Sequence, residues 1–288
     1  MKPAAFDYVA PTSLDAALTA LADGGYDAKP IAGGQSLVPL MAFRLAVFGQ
    51  LVDLGRIEEL QGVARDGDEL VIGAATRQAA IAKDALVAEH APVLAQATGW
   101  IGHQQIRNRG TIGGSICHAD PAAEYPATAV ALDATIDVAS TRGRRSIPAA
   151  ELFEAAYTTT LEPDEVAVAV RIPVRRPGEG TAIFEVARRP GDFALAGCVV
   201  RVATSGGAVI DARVLAFGVG GAPIRLAAAE AALAAGAGVG SQELTAALQA
   251  DADGLTPPED AQATSAYRHS IVVHVANTAI AEAIADSQ

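Results

Sequence analysis

The sequence predicts an α+β protein assembled from successive units, and three observations carry that expectation. The opening alternates short apolar stretches with amphipathic ones on the scale of a strand–helix–strand–helix–strand unit. The middle contains a two-residue alternation at Val166, Val168, Val170 and Ile172, the period of a half-buried strand. The end runs as three strand-like segments and then three helical ones, the order of a compact α+β domain. With 288 residues, 51% of them hydrophobic, the chain can bury a large core and is long enough for two domains.

Taken in order, residues 6–9 read as a short strand. Thr12 or Ser13 is placed to cap a helix with Leu14, Leu18 and Leu21 on one face. Ile31 leads into a glycine turn, and Ser36 is placed to cap the helix through Leu40 and Leu45 that follows. Residues 51–54 close the unit as a strand. A second unit begins near Gln61, where residues 63–65 and 70–72 flank the hairpin turn Asp66-Gly67-Asp68. Alanine-rich helical sequence covers residues 76–97, and Pro92 should break or restart it. A second glycine turn, a helix after Pro121 and strands around 135–139 and 166–172 come next. Arg175-Arg176-Pro177-Gly178-Glu179-Gly180 is the best linker candidate. Beyond it, residues 181–186, 198–203 and 209–217 read as strands, and helices follow at about 226–235, 242–250 and 263–285.

Composition narrows the function. A formal net charge of −12 argues against nucleic-acid binding. The positive charge gathers in the middle of the chain, at Arg107, Arg109, Arg142, Arg144, Arg145, Arg171, Arg175, Arg176, Arg188 and Arg189. The plain reading is a solvated rim around a sheet; the sharper one is a docking face for a partner or an anionic electron acceptor. Two distant cysteines, Cys117 and Cys198, cannot build an iron–sulfur or zinc site alone. The start, Met1-Lys2-Pro3-Ala4-Ala5-Phe6, lacks the apolar run of a secretory signal, and no uninterrupted apolar stretch is long enough to cross a bilayer. A cytoplasmic protein is the expectation.

The chemistry concentrates in two glycine pairs flanked by hydroxyl residues, Ala32-Gly33-Gly34-Gln35-Ser36 and Thr111-Ile112-Gly113-Gly114-Ser115. Amides in a glycine turn have no Cβ in the way and can converge on an anion. One such pair most often just turns a strand into a helix; two in matching settings could hold a long phosphate-bearing cofactor. Neither is a Walker A or Rossmann sequence. Gly236-Ala237-Gly238-Val239-Gly240 follows a helix and is rejected as a decoy. His269 and His274 are spaced five apart on an expected helix, wrong for stacking on zinc, and Tyr267, Arg268 and His269 read as one face meeting solvent or a partner. Glu124, near the start of the helix after the second turn, is placed either to accept from sugar hydroxyls or simply to complement the helix dipole.

The ordered set Ala32-Gly33-Gly34-Gln35-Ser36-Leu37, Gln105-Ile106-Arg107-Asn108-Arg109-Gly110-Thr111-Ile112-Gly113-Gly114-Ser115 and His118-Ala119-Asp120-Pro121-Ala122-Ala123-Glu124, with Arg188-Arg189-Pro190-Gly191-Asp192-Phe193-Ala194 further on, resembles the FAD-binding medium subunit of molybdenum hydroxylases. These are the enzymes of the carbon monoxide dehydrogenase and xanthine dehydrogenase type. The resemblance implies two subdomains of the vanillyl-alcohol-oxidase flavoprotein type over residues 1–176, divided at about 1–58 and 59–176, and a smaller α+β domain over 177–288. It implies non-covalent FAD, with Ala32, Gly33, Gly34, Gln35 and Ser36, and Thr111, Ile112, Gly113, Gly114 and Ser115, at the pyrophosphate. It places Glu124 at cofactor hydroxyls and Phe193 stacked near the isoalloxazine ring. A side chain at Gly113 would then block the pyrophosphate while leaving the fold intact.

The same likeness implies a large molybdopterin-binding subunit and a small two-iron two-sulfur subunit as partners, in a dimer of heterotrimers. It assigns no catalytic or metal-holding residue to this chain, which would pass electrons to quinone, NAD or oxygen. The competing readings are a self-sufficient FAD oxidase of the same fold and a non-redox nucleotide-binding module.

Overall fold

The computed structural model describes residues 2–288, so of the polar start only Met1 lies outside the described residues. The first unit comprises β1 (Asp7–Val9), α1 (Leu14–Gly24), β2 (Ala28–Ile31), α2 (Leu37–Ala42) and β3 (Gln50–Asp53). Its strands are parallel in the order β1-β3-β2. Ser13 caps α1 by accepting from the Ala16 amide, and Leu14, Ala17, Leu18 and Leu21 form its buried stripe. Ser36 does not cap α2: it has αR backbone angles and makes no capping hydrogen bond, so its hydroxyl stays available.

The second unit begins with the hairpin β4 (Val63–Asp66) and β5 (Glu69–Gly73). The alanine-rich stretch is three helices, α3 (Gln78–Ile81), α4 (Ala85–His90) and α5 (Pro92–Trp100). Asp84 starts α4 by accepting from the Leu86 and Val87 amides, and Pro92 stands at the first turn of α5, where its missing N–H costs nothing. After α6 (Gln104–Arg107), α7 (Ile112–His118) and α8 (Glu124–Ala131) come β6 (Thr135–Ser140), β7 (Gly143–Pro148), α9 (Ala149–Leu152), β8 (Phe153–Ala155), β9 (Thr158–Thr159) and β10 (Val166–Pro173). The main sheet here has the order β4-β5-β10-β6-β7 and is antiparallel throughout.

Much of the arginine cluster belongs to this sheet and its surroundings, where own carboxylates neutralise it. Arg145 grips Glu165 through Nε and Nη2, both at 2.8 Å. Arg171 reaches Asp137 at 2.7 Å and also Glu69 and Asp66, and Arg142 pairs with Asp164. The plain reading of a charged rim holds for these residues.

The third unit is an antiparallel sheet, β11 (Glu179–Ala187), β12 (Ala194–Ser205), β13 (Ala208–Phe217) and β14 (Ile224–Arg225), followed by α10 (Ala227–Ala234), α11 (Gln242–Asp253) and α12 (Ser265–Asp286). Alternation gives this sheet two apolar faces. Ala182, Cys198, Val200, Val214 and Ala216 pack under the three final helices. Ile183, Val199, Leu215 and Phe217 join the core built from α5, α7, α8 and the second sheet. The linker candidate is tied down: Arg175 donates to the Glu179 carbonyl and bonds Asp286 at the end of α12. Arg268 also departs from expectation. It is 4% exposed and donates to the carbonyls of Leu195 and Gly218 and to Asp260. Among the described residues no helix is long and apolar enough to cross a membrane.

Candidate functional site

A cavity of about 730 Å³ opens where the three units meet, within the roughly 300–1,000 Å³ usual for cofactor sites. It lies beyond the carboxyl end of β2, the usual place for a ligand on parallel strands. Of the twelve candidate binding residues, eleven line it: Ala32, Gly33, Gly34, Gln35, Ser36, Thr111, Gly113, Gly114, Ser115, Glu124 and Phe193. Ile112 does not. Its side chain is buried in the main core, as the first residue of a helix packed on the sheet must be.

The two glycine turns are not equivalent. In the first, the amides of Gly33, Gly34, Gln35 and Ser36 find no acceptor among the described residues. Gly34 takes φ +70°, which a side chain would resist, and Gln35 Nε2 closes the turn on the Gly33 carbonyl at 3.0 Å. The turn therefore presents four unspent donors to the cavity, a nest for an anion. A Cβ on Gly33 would run into the backbone of Arg109 and lie 2.7 Å from the Gly110 Cα, so the two turns touch at this point.

In the second turn the donors are already committed. Ile112 N donates to Thr76 O, Gly113 N to Ala74 O, and Gly114 N to the Thr111 hydroxyl that caps α7. Ser115 N begins the helical ladder on Thr111 O. Gly113 is needed for packing rather than for a ligand, because a Cβ there would meet the Ala74 carbonyl at 2.7 Å. The expectation that a side chain at Gly113 leaves the fold intact is therefore corrected: it would strike the protein itself.

Phe193 reaches the cavity from the loop between β11 and β12 and is 67% exposed. Gly191, at φ +87°, seats that loop; a Cβ there would lie 2.7 Å from the His103 ring. Glu124 is the first residue of α8 and only 6% exposed. Burial above all, then the charge of Glu185, raises its carboxyl to about 8.

Two contributors to the cavity escaped the sequence reading, and one buried charge behind it did too. Lys29, in the strand ahead of the first turn, brings a cation to the cavity and rests over the Phe48 ring at 5.9 Å. Tyr157 holds φ +59° and packs its ring 5.2 Å from His118, whose imidazole is lowered by burial. Nothing in the sequence marks that backbone angle. Glu185 does not line the cavity but had a signal: it follows Ile183 on the same face of a strand, a charge where the alternation calls for an apolar residue. The cradle of free amides, the Cβ-free contact at Gly33 and the stacking surface at Phe193 suit a dinucleotide with an aromatic ring.

Comparison with known proteins agrees. Residues 4–175 match the model of the FAD binding domain in molybdopterin dehydrogenase, and residues 182–283 match the CO dehydrogenase flavoprotein C-terminal domain. The chain is 40% identical to the 6-hydroxypseudooxynicotine dehydrogenase complex subunit alpha of Paenarthrobacter nicotinovorans, covering 99% of this chain and 96% of that one. Its fold superposes on a carbon monoxide dehydrogenase structure from Hydrogenophaga pseudoflava with a TM-score of 0.94, at 38% identity and 99% coverage of both chains. Quinoline 2-oxidoreductase from Pseudomonas putida 86 gives the same TM-score at 36% identity, over 100% of this chain and 99% of that one. The chain therefore belongs to the family of FAD-binding medium subunits of molybdenum hydroxylases, and its cofactor is FAD.

Proposed function

We propose that this chain receives electrons from iron–sulfur centres in a small partner subunit and hands them to an external acceptor. In this reading a large molybdopterin-binding subunit performs the hydroxylation, and the complex is a dimer of heterotrimers. Residues 1–176 are its FAD-binding region and 177–288 its C-terminal domain. The observation that carries the proposal is the cradle of four unspent amides at Gly33–Ser36, facing a cavity walled by all three units.

Bound FAD supplies a carrier able to exchange one or two electrons. The chain's own residues bind and orient it. The Gly33–Ser36 amides, with Lys29 nearby, answer the diphosphate charge. The hydroxyls of Ser36 and Ser115 and the carboxyl of Glu124 line the same cavity and are offered to polar groups of the cofactor. Phe193 offers a ring face and, being exposed, leaves that side open for a partner's approach. The relatives described above are named for chemically unlike compounds yet resemble this chain along nearly its whole length, which supports placing substrate choice in another polypeptide. Quinone, NAD and oxygen are the acceptors this reading allows.

The test is rapid mixing of the FAD-loaded chain with its chemically reduced small subunit. Bleaching of the visible flavin absorbance supports the relay, and an unchanged spectrum overturns it. Bleaching of the isolated chain by an organic substrate would favour a self-sufficient oxidase instead.

A further inference from the structure

Five enclosed side-chain polar atoms have no hydrogen-bond partner among the described residues: Gln78 Oε1, Thr181 Oγ1, Glu185 Oε2, Arg268 Nε and Asn277 Oδ1. Of these residues only Gln78 also lines the FAD cavity. It is 4% exposed, and no described residue accepts from its Nε2 either. A buried carboxamide without hydrogen bonds opposes folding, and it calls for a partner from outside the chain. Gln78 opens α3, and the other buried residue of that helix, Ile81, lies three positions on and so on the same face. An apolar side chain would suit that face better than a carboxamide.

The geometry fixes which end of the group is available. The backbone amide of Gln78 donates to the Gly110 carbonyl at 2.9 Å, and Arg77, one residue back, bridges to Thr111. A Cβ on Gly110 would strike Gln78 Oε1 and lie 2.8 Å from its Cδ, so the carboxamide is laid against the Gly110 α-carbon. With the oxygen enclosed there, the nitrogen is the end left to the cavity, and it can only donate. Gly110 in turn abuts Gly33, where the free amides of the first turn begin. The second turn has no such amide to offer at its start, since Ile112, Gly113 and Gly114 all donate to protein acceptors.

We propose that Gln78 is a further FAD-binding residue whose Nε2 donates to the cofactor's diphosphate, giving the second unit a donor beside the Gly33–Ser36 amides. The diphosphate is the charged, acceptor-rich part of FAD, and a hydrogen bond to an anion is about twice as strong as a neutral one. The inference rests on FAD lying in this cavity with its diphosphate at Gly33–Ser36.

The experiment compares FAD binding and apo stability of the full chain in wild type, Gln78→Met and Gly33→Ala. Methionine keeps the length of glutamine and removes its hydrogen bonding. FAD affinity by fluorescence titration should fall about tenfold or more in Gln78→Met, while the apo melting temperature holds or rises because an orphaned polar group has been removed. Unchanged affinity overturns the role. A lower apo melting temperature, or a chain that no longer folds, overturns it too, since the carboxamide then serves the fold. Phosphorus NMR at saturating FAD reads the contact itself. The bound diphosphate resonances should move in Gln78→Met, and resonances identical to wild type overturn the assignment. Gly33→Ala separates this inference from the reading beneath it. Affinity lost in Gly33→Ala but kept in Gln78→Met removes Gln78 alone; affinity kept in both removes the diphosphate from this cavity.

Discussion

The α-carbon of Gly33 rests against the main-chain carbonyl of Arg109, which is itself held by the Arg77 guanidinium. This contact brings the donor-rich turn of the first unit against the internally satisfied turn of the second, and it leaves no room for a side chain.

Gly33→Ala should therefore separate the two turns. We expect FAD affinity to fall about tenfold or more, equivalent to about 1.4 kcal/mol, while far-UV circular dichroism stays native because the turn lies outside every core cluster. Unchanged FAD affinity by fluorescence titration would remove the contact from the binding account.

Gly113→Val should behave differently, because its obstacle is Ala74 and not a ligand. Overpacking costs about 1–3 kcal/mol, and melting should drop by roughly 2–4 °C for each kcal/mol. The decisive comparison is the apo melting temperature, which should fall in Gly113→Val even with no FAD present.

Phe193→Ala tests the exposed ring. The residue contributes little to any core, so the apo melting temperature should move by less than about 1 °C, in line with surface substitutions. FAD affinity should still weaken, by about 0.5–1.5 kcal/mol if stacking is its role. Equal affinity in the variant would reassign Phe193 to contact with a partner.

The buried carboxyls of Glu124 and Glu185 give a pH signature in stability. Both folded-state values, about 7 for Glu185 and about 8 for Glu124, lie above the ~4.3 of an unfolded glutamate. The neutral forms thus favour the fold: their contribution is complete below the unfolded value and is lost as pH rises through about 7 and about 8. Apo protein should melt on the order of 5 °C lower at alkaline than at mildly acidic pH. The double variant Glu124→Gln/Glu185→Gln should lose most of that slope, as read by calorimetry.

Much of this architecture was legible because local chemistry and burial agree. Ser13 caps the helix whose leucines it precedes, Pro92 opens the helix it interrupts, and Val166–Ile172 is a strand with neighbours on both edges. A bulge between Ala167 and Ala169 nevertheless breaks the expected alternation and turns Val166 and Val168 to one core and Val170 and Ile172 to another. Strand β7 went unseen because it is an edge strand whose residues are almost all exposed, so no alternation marks it. At the site, glycine pairs were visible but their division of labour was not. Which amides are spent depends on Thr76 and Ala74, partners supplied by another segment of the second unit. Arg268 looked like a surface residue because its acceptors, the Leu195 and Gly218 carbonyls, are distant in sequence.

The doubly apolar third sheet has a consequence for how this protein can be cut. Its sequence divides into two modules, but Ile183, Val199, Leu215 and Phe217 complete an interior shared with the cofactor-binding half. A fragment ending near residue 176 would shed those four side chains and bare the helices they cover, inviting aggregation. Inheritance as modules is compatible with that arrangement; independent life as modules is not.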